Sequence, residues 1–480
     1  MSLLAQSHRF RLHTLAAATV LALTAAGPAA AAGRVYLDNL KADGHYRQFI
    51  VKYRDGSAAR TDRGALASSL DAAAGRAALK QRPGLKMLRA MVMPGGRVIG
   101  ADADLDRDQA EALMRQIAAD ADVEFVQADG MVRALSIPND PRYKDLWSYR
   151  DTAAGIRAPA AWDIATGRGQ VVAVIDSGIY QAHADLAANL LPGYDFVSSV
   201  SGYSREICAV DGVPAGCGAS QDGDGRDANP EDSSNIDHGA HVAGTIAAVG
   251  NNGVGVTGVA YQAKIVPIRA LAKNGFGVDS DIVDALIWAV GGSVSGVAPN
   301  PNPAKIVNLS IGGSGACSQA PAWQAAIDAA LARDAVVVVA AGNDNADAAN
   351  MTPASCNGVI TVAASTTGAA RTSYSNFGAT IDITAPGGNN AFFGGASTEI
   401  LSTVRNNGYG TMAGTSMASP HVAGVVALMR SAASVPLSPA RVQQILAQTA
   451  RPIPASKCSG GCGPGLVDAA AAVKAARDAR

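Results

Sequence analysis

The stretch Val171-Val172-Ala173-Val174-Ile175, followed by Asp176-Ser177-Gly178, decides the fold of this chain. An uninterrupted apolar run rich in β-branched side chains predicts a strand that is buried on both faces, as in a parallel sheet. Similar runs recur along the chain and alternate with helical patterns. The strand-type runs are 265–268, 306–309, 336–341 and 359–363, and the helical patterns are 238–248, 281–290 and 322–333. This alternation predicts an α/β fold with a doubly wound, mostly parallel sheet.

Polar residues with catalytic chemistry follow these runs directly. Asp176 follows the first run, Ser310 the run 306–309 and Asn343 the run 336–341, while His238 opens a helical pattern. A doubly wound sheet binds its ligands beyond the carboxyl ends of its strands. We therefore expect these residues to lie together on one face.

A second stretch, Gly414-Thr415-Ser416-Met417-Ala418-Ser419-Pro420-His421, places a serine where a helix begins, because apolar residues recur with helical period over 417–430. Backbone N–H groups at a helix start lack partners within the helix, and the helix dipole there favours negative charge. Taken alone, Thr415 or Ser416 could be an ordinary N-cap. Together with the strand-end residues, Ser416 is a candidate nucleophile.

Serine needs a base to take its proton, and the base needs a third group to orient it. His238 and Asp176 supply these roles for Ser416, and the Asn343 amide with the Ser416 N–H would hold the oxyanion. The chain order Asp, His, Ser differs from the Ser, Asp, His order of α/β-hydrolases. The sequence after Ser416 also lacks the second glycine of G-x-S-x-G, which argues against an esterase of that fold.

Residues from about 140 to 475 resemble the peptidase domain of a secreted bacterial subtilisin-like serine protease. Three motifs carry the resemblance in order: Val174-Ile175-Asp176-Ser177-Gly178, His238-Gly239-Ala240-His241-Val242-Ala243-Gly244-Thr245 and Gly414-Thr415-Ser416-Met417-Ala418-Ser419-Pro420-His421. One departure is Ala240, where many relatives have threonine. It lies beside the histidine and not among the reacting groups.

The resemblance implies a substrate cleft whose walls come from two segments that follow strands. These are Ser310, Ile311 and Gly312 on one side, and Ala340, Ala341 and Gly342 on the other, with a floor from 346–356. The first segment could pair with an extended peptide as an added strand, which explains how many sequences are accepted. Met351 could reach the floor of the first pocket, but packing in the interior is the simpler interpretation.

The N-terminal residues 1–32 read as a signal peptide. The basic residues His8, Arg9 and Arg11 precede an apolar run at 15–26 and then Ala30-Ala31-Ala32, which fits a cleavage site. We therefore expect a secreted protein. A net charge of −1 gives no electrostatic case for nucleic acid, and no later stretch of apolar residues is long enough to predict a membrane span.

Residues 34–135 show strand, helix, two strands, helix, strand, the pattern of a ferredoxin-like α+β domain. The strands are expected at 46–53, 85–92, 96–100 and 123–127, and the second helix at 106–119. Turn residues at 136–141 mark a boundary to the peptidase domain, 136–480. The resemblance implies that residues 33–135 are an inhibitor-type propeptide that assists folding, and we expect its removal by cleavage within 134–139.

Calcium is the cofactor that the resemblance implies. The glycine-rich segment 251–256 falls on a calcium loop, with a carboxylate from Asp185. Its expected ligands are Asp185, Gly250, Asn252, Val254 and Val256, since hard cations prefer carboxylate, amide and carbonyl oxygens. Gly253-Val254-Gly255-Val256-Thr257-Gly258 also fits G-x-G-x-x-G, but it follows a helix and precedes a strand, the reverse of a dinucleotide site. A solvated glycine-rich turn is the alternative to calcium.

Other polar clusters allow simpler interpretations. His238 and His241 lack the glutamate of H-E-x-x-H, so zinc is disfavoured, and His241, His421 and His183 are expected to be packed and hydrogen-bonded. The acidic segment 222–227 fails the EF-hand pattern. It could be a second cation site or a solvated loop, within an insertion-like region, 198–235, that precedes His238.

Six cysteines in a chain expected to be exported predict three disulfides. Pairing of neighbours is the simplest of many choices: Cys208–Cys217, Cys317–Cys356 and Cys458–Cys462.

The sequence thus predicts a monomeric, secreted serine endopeptidase made as a self-processing zymogen, with proteins as substrates. The alternative class is an inactive binding or chaperone-like protein on the same fold, against which the intact set Asp176, His238, Asn343 and Ser416 argues.

Overall fold

The computed structural model describes residues 32–40, 44–131, 137–150, 152–204, 208, 216–234, 236–390 and 398–480. All but the last residue of the predicted signal peptide therefore lie outside the described residues, as does the first half of the predicted cleavage segment. The chain divides into two compact units, Met1–Arg133 and Ala134–Arg480.

The described residues of the first unit form two α-helices and five strands. Its strands are β1 (Arg34–Tyr36), β2 (Tyr46–Tyr53), β3 (Leu85–Ala90), β4 (Gly96–Leu105) and β5 (Val123–Ala128), and its helices are α1 (Arg63–Arg76) and α2 (Arg107–Ala118). The sheet order is β1-β5-β2-β4-β3. Without β1 this is the ferredoxin-like order that the element pattern predicted.

Local sequence explains where the helices of this unit begin. Asp62 caps α1 by accepting the backbone N–H groups of Gly64 and Ala65, and Asp106 forms a capping box with Gln109 at α2. The sequence analysis did not anticipate β1, which is three residues long and pairs in parallel with β5. Such a short strand carries no detectable alternation and exists only because its partner is present.

The second unit contains the elements that the α/β pattern predicted, together with others that it did not predict, among them a helix of 11 residues, Pro439–Thr449, and two strands of five, Ile400–Val404 and Gly408–Met412. Its strands are β6 (Val171–Asp176), β7 (Tyr194–Asp195), β8 (Lys264–Arg269), β9 (Ile306–Leu309), β10 (Gly313–Ser314), β11 (Val336–Ala340), β12 (Met351–Thr352), β13 (Ile360–Ser365), β14 (Ile383–Pro386), β15 (Ile400–Val404) and β16 (Gly408–Met412). Its helices are α3 (Ala158–Trp162), α4 (His238–Ala247), α5 (Asp279–Ala289), α6 (Pro321–Leu331), α7 (Thr415–Ala432), α8 (Pro439–Thr449) and α9 (Ala469–Arg477).

The main sheet of this unit has seven strands in the order β14-β13-β11-β9-β6-β8-β7, and every pair of neighbours is parallel. The chain leaves β6 towards β7 and β8 on one side and then crosses to β9 on the other. Strand order reverses at β6, and a ligand crevice is expected at such a point.

Helices cover both faces of the sheet, because side chains of β6 alternate between two cores. Val172 and Val174 join one core with residues of α4, α7 and α9, while Ala173 and Ile175 join the other with residues of α5 and α6. The predicted doubly wound architecture is therefore confirmed. In the described part of the chain, each helix is too short or too polar to cross a membrane.

A fully buried arginine anchors the region between β7 and α4. The Arg269 guanidinium at the end of β8 contacts the carboxylates of Asp195 and Asp222, and it donates to the Ser220 carbonyl and, at 2.7 Å, to the Ser233 hydroxyl. Burial raises the pKa of Asp195 to about 7 despite its contact with Arg269. The positive charge of Arg269 therefore stabilises the ionised form of Asp195, which burial disfavours.

Contacts with other elements hold two residues of the acidic segment 222–227. Asp222 is bonded to Arg269, and Arg226 donates to Asp281 at 2.7 Å and to Asp284 at 2.8 Å. Asp222 and Asp224 are nevertheless exposed, so the interpretation of the segment as a solvated loop is not contradicted.

Replacing Arg269 with leucine should destabilise the second unit by about 3–5 kcal/mol, because removing one partner of a buried ion pair leaves the other charge uncompensated. The midpoint of chemical unfolding, followed by tryptophan fluorescence, measures the loss. Arg477→Leu, which removes an exposed partner of Asp478, is the matched control and should leave the midpoint nearly unchanged. Equal midpoints for the two variants would contradict a stabilising role for Arg269.

Candidate active site

Asp176 and His238 meet at the carboxyl end of β6. Asp176 is the last residue of the strand and is fully buried, whereas His238 is the first residue of α4 and its side chain is 21% exposed. The Nδ1 atom of His238 lies 2.8 Å and 3.0 Å from the two carboxylate oxygens of Asp176. This contact leaves Nε2 as the ring nitrogen that can exchange a proton with another group.

Opposing effects set the basicity of His238. Burial alone would lower its pKa, but the charge and hydrogen bond of Asp176 and the charge of Asp232 raise it, and the net shift is upward. A carboxylate beside the ring therefore stabilises the imidazolium form, as a general base requires when it takes up a proton.

Ser416 is the second residue of α7, after Gly414 as N-cap, so its backbone N–H has no partner within the helix. Its hydroxyl donates to the Ser310 carbonyl at 3.0 Å. His238 and Ser416 line the same cleft. The Ser416 hydroxyl must rotate away from Ser310 before its proton can reach His238.

The carbonyl of Ser416 accepts a hydrogen bond from a side chain instead of from a backbone N–H of its own helix. Pro420, four residues on, has no N–H to donate to this carbonyl, and the Ser310 hydroxyl does so instead at 2.8 Å. Asn308 donates to that hydroxyl at 2.9 Å and itself accepts from the Ser419 hydroxyl at 2.8 Å. A chain of buried side chains therefore fixes the backbone of Ser416 against β9.

The side-chain amide of Asn343 is oriented by Thr415. Its Oδ1 accepts from the backbone N–H and the hydroxyl of Thr415, each at 2.9 Å, so Nδ2 is left to donate elsewhere. A methyl group added to Gly414 would lie 3.6 Å from both Asn343 Nδ2 and the Ser416 nitrogen. Both donors are therefore close to Gly414 at the start of α7.

Asn376 holds the segment that carries Asn343, and the sequence analysis missed it. Its buried amide accepts from the N–H groups of Asp344 at 3.0 Å and Ala346 at 2.9 Å, and it donates to the Ala341 carbonyl at 3.0 Å. No sequence pattern marks Asn376, because it follows β13 by 11 residues in a polar turn and reaches Asn343 only through the fold.

A cleft of about 750 Å³ extends from these groups. It is lined by all of the residues predicted to form its walls: Ser310, Ile311, Gly312, Ala340, Ala341 and Gly342. Met351 also lines the cleft, and it packs against the core that contains residues of α5 and α6, so the structure supports both interpretations of this residue. The wall at Gly313 and Ser314 is backed by an antiparallel pair, since β10 pairs with β12.

The six cysteines form the three disulfides of the neighbour pairing: Cys208–Cys217, Cys317–Cys356 and Cys458–Cys462. Of these, Cys317–Cys356 joins the two segments that hold β10 and β12 beside the cleft.

The residues predicted to bind calcium also lie together. Asp185 is fully buried and accepts from the Asn252 side-chain amide at 2.7 Å and from the Val256 N–H at 2.8 Å. The Asn252 Oδ1 accepts the Val254 N–H at 2.8 Å, and Gly250 follows Val249, whose N–H donates to the Asp185 carbonyl. Within the described ranges, no three His, Cys, Asp or Glu residues form a group that could hold a metal ion.

Asp140, which the sequence analysis missed, brings a second carboxylate to this loop. It is 3% exposed and accepts the N–H groups of Asn251 at 2.9 Å and Asn252 at 3.2 Å. Burial raises the pKa of Asp140 and of Asp185, and the two charges also interact. Two neighbouring buried carboxylates are a donor set that fits a hard divalent cation.

The rings of His241 and His421 are both buried and hydrogen-bonded, as the sequence analysis expected. His241 Nε2 lies 2.9 Å from the Ile400 carbonyl, and His421 lies 2.7 Å from the Met417 carbonyl and 2.9 Å from the Ser148 hydroxyl. Burial lowers the pKa of His241 to about 3 and that of His421 to about 4. Both rings are neutral at neutral pH and serve packing.

A doubly wound parallel sheet that presents aspartate, histidine and serine in that chain order defines a subtilisin-like serine peptidase. The model of the Subtilase family matches residues 167–468, and the chain belongs to that family.

Known relatives agree with this assignment. An extracellular protease of Xanthomonas campestris pv. campestris is 47% identical over 477 residues, which are 96% of this chain and 78% of that protein. An extracellular basic protease of Dichelobacter nodosus is 38% identical over 469 residues, 89% of this chain and 70% of that protein. A solved protease structure from Pseudoalteromonas arctica is 47% identical, with a TM-score of 0.63, and the match covers 71% of this chain and 100% of that one.

The buried neutral state of His421 predicts a pH-dependent contribution to stability. The ring has a pKa of about 4 in the folded protein and about 6.5 when unfolded, so between these values only the unfolded chain binds the proton. Stability that depends on His421 should therefore fall as the pH falls from 6.5. The wild type should have a higher unfolding midpoint than His421→Asn at pH 7.5, and this difference in midpoint should be smaller at pH 5. A constant difference across this range would show that His421 does not titrate as its burial implies.

Proposed function

We propose that this chain is a secreted serine endopeptidase, made as a self-processing zymogen, that hydrolyses proteins through Ser416, His238 and Asp176. The observation that carries the proposal is the Asp176–His238 contact at 2.8 Å beside a helix start where Ser416 and the oriented amide of Asn343 converge. An inactive binding protein would have no need of this arrangement.

The mechanism follows from the atoms that these residues present. The Ser416 Oγ attacks the carbonyl carbon of the scissile bond while His238 Nε2 takes its proton, and Asp176 stabilises the resulting imidazolium. The negative oxygen of the tetrahedral intermediate accepts from the Ser416 N–H and from Asn343 Nδ2. His238 then protonates the departing amine, and water hydrolyses the acyl-enzyme by the same steps.

Substrate positioning rests on the backbone of Ser310, Ile311 and Gly312. An extended peptide can add to this segment as a strand, opposite the wall formed by Ala340 to Gly342. Among the described residues that line the cleft, the acidic side chains of Asp279 and Asp344 are the ones that carry fixed charge. Affinity would then come mainly from main-chain hydrogen bonds and apolar contacts, which suits an enzyme that cleaves many sequences.

Secretion and processing complete the proposal. The relatives described above are named as extracellular proteases, and three disulfides fit an oxidising compartment. The first unit ends before the residues that match the family model begin, and its ferredoxin-like fold fits the inhibitor-type propeptide assigned to 33–135. We assign residues 1–32 to the signal peptide and cleavage of the propeptide to 134–139.

The decisive test compares the full chain with its Ser416→Ala variant. Wild type should lose the mass of residues 33–135 after export and should digest casein, whereas Ser416→Ala should keep that mass and lose activity by several orders of magnitude. Mass spectrometry and casein hydrolysis measure both. Ser434→Ala, which alters an exposed serine, is the control and should behave as wild type. Identical processing of wild type and Ser416→Ala, with no hydrolysis by either, would favour the binding protein.

We further propose that Asp185, Asn252 and the carbonyls of Gly250, Val254 and Val256 hold a structural calcium ion, with Asp140 beside them. The ion would neutralise two buried carboxylates, whose raised pKa values reflect the cost of burying negative charge. Calcium supplies charge neutralisation here and takes no part in the reaction.

Calcium at this loop should make thermal stability depend on chelation. With Ser416 irreversibly blocked to prevent self-digestion, EDTA should lower the melting temperature by several degrees, and added Ca²⁺ should restore it, because an ion that binds only the folded state stabilises it by mass action. Asp185→Asn should abolish the response, while Asp224→Asn in the exposed loop should retain it. A response to Ca²⁺ that survives Asp185→Asn would place the ion elsewhere.

A further inference from the structure

A second carboxylate, that of Asp232, lies close to the Asp176–His238 pair. Asp232 is 6% exposed and comes from the region between β7 and α4. Its Oδ2 accepts from the Ser177 hydroxyl at 2.8 Å, and its Oδ1 accepts from the N–H of Ser234 at 2.8 Å and from the Ser234 hydroxyl. All three donors are neutral, so these hydrogen bonds leave the negative charge of Asp232 uncompensated.

The backbone brings Asp232 to this position through close contact with the end of β6. The Ile179 N–H donates to the Pro230 carbonyl at 3.0 Å, and the Asp232 N–H donates to the Ile179 carbonyl at 2.9 Å. Gly178 has φ +102°, and a Cβ there would lie 2.7 Å from the Pro230 oxygen and 3.0 Å from Asp232. The approach therefore requires glycine at 178.

Ser177 connects Asp232 to both members of the pair. Its N–H donates to Asp176 Oδ1 at 2.7 Å, and its hydroxyl accepts the Gly239 N–H at 3.0 Å while donating to Asp232. Gly239 directly follows His238 at the start of α4. Ser177 thus joins the acid Asp176, the residue after the base and the carboxylate of Asp232.

We propose that Asp232 is a positioning residue for the Asp176–His238 pair: it holds the pair through Ser177, and its negative charge favours the protonated form of His238 during catalysis. The inference rests on the proposed serine peptidase function and assigns a role to the insertion-like region 198–235. Arg269 anchors this region through Ser220 and Ser233, and the region places Asp232 beside Ser177.

The surroundings of His238 support a net effect of this charge. Asp176 and Asp232 both raise the pKa of His238 against the opposing effect of burial. The Arg405 guanidinium interacts with the charge of Asp232, but it donates a hydrogen bond to Asp237 at 2.7 Å. Tyr180 donates to the same Asp237 carboxylate, and burial favours the neutral form of His241. Burial and the charge of Asp176 raise the pKa of Asp232 itself, whereas the hydrogen bonds from Ser234 and Ser177 oppose that shift and favour the charged carboxylate.

The pH dependence of peptide hydrolysis tests the proposal. The acid limb of kcat/KM reports the deprotonation of His238 in the free enzyme. Asp232→Asn keeps the size of the side chain and removes its charge, so the pKa of His238 should fall and the acid limb should move to lower pH by roughly half a unit to one unit. The plateau kcat should also fall several-fold, because the imidazolium is less stabilised.

Asp224→Asn is the matched control, since it removes the same charge from an exposed position in the same region. Its acid limb should coincide with that of wild type. An Asp232→Asn limb that coincides with both would overturn the proposal, because a residue with a structural role alone would lower activity without moving the pH profile.

Ser177→Ala provides a second test that does not depend on the folding of Asp232→Asn. It keeps the charge and removes only the connecting hydroxyl, so kcat should fall several-fold while KM stays near the wild-type value. A wild-type kcat for Ser177→Ala would overturn the positioning role. Failure of the underlying function looks different, since the wild-type chain would then hydrolyse nothing and would equal Ser416→Ala.

Discussion

The parallel register of β6 with its two neighbours is the constraint on which the rest of the structure depends. It sets Ile175 beside Leu309 and Asp176 beside Arg269, so two strand ends and the segments after them share one edge. From this edge the buried Asp176 contacts His238, which lines the cleft. On the adjacent strand, Arg269 is buried and fastens the region that supplies Asp232. The catalytic Asp176 and the anchoring Arg269 are therefore paired residues on adjacent strands of one sheet.

Buried polar groups around the nucleophile are connected rather than isolated. Pro420 deprives the Ser416 carbonyl of its helix partner, and the hydroxyl of Ser310 replaces that partner with support from Asn308. A buried carbonyl without a hydrogen bond would cost free energy, so the proline and the serine are complementary. The same logic applies to Asn343, whose amide oxygen is occupied by Thr415 and whose nitrogen is thereby committed to the cleft. Hydrogen bonds to buried polar groups thus orient both the Ser416 backbone and the Asn343 amide.

The main elements of the second unit could be predicted because buried parallel strands have an unmistakable composition. The runs at β6, β9 and β11 were placed within about one residue, since each is continuous, apolar and followed by polar residues. The strands β1, β7 and β12 were not predicted. Each has two or three residues, too few for a periodic signal, and each depends on a partner distant in sequence. Asn376 and Asp140 escaped notice for the same reason, since single polar residues in turns resemble any other turn.

The sequence by itself determined the fold class, the order of the elements and the identity of the residues at strand and helix ends, because hydrophobic period and terminal chemistry are local properties. Tertiary structure alone decided which way the Asn343 amide points, that Asp222 serves Arg269, and that Asp232 stands behind His238. These outcomes depend on contacts between segments far apart in the chain. Their geometry is set by the packing of the whole unit, which no local pattern encodes.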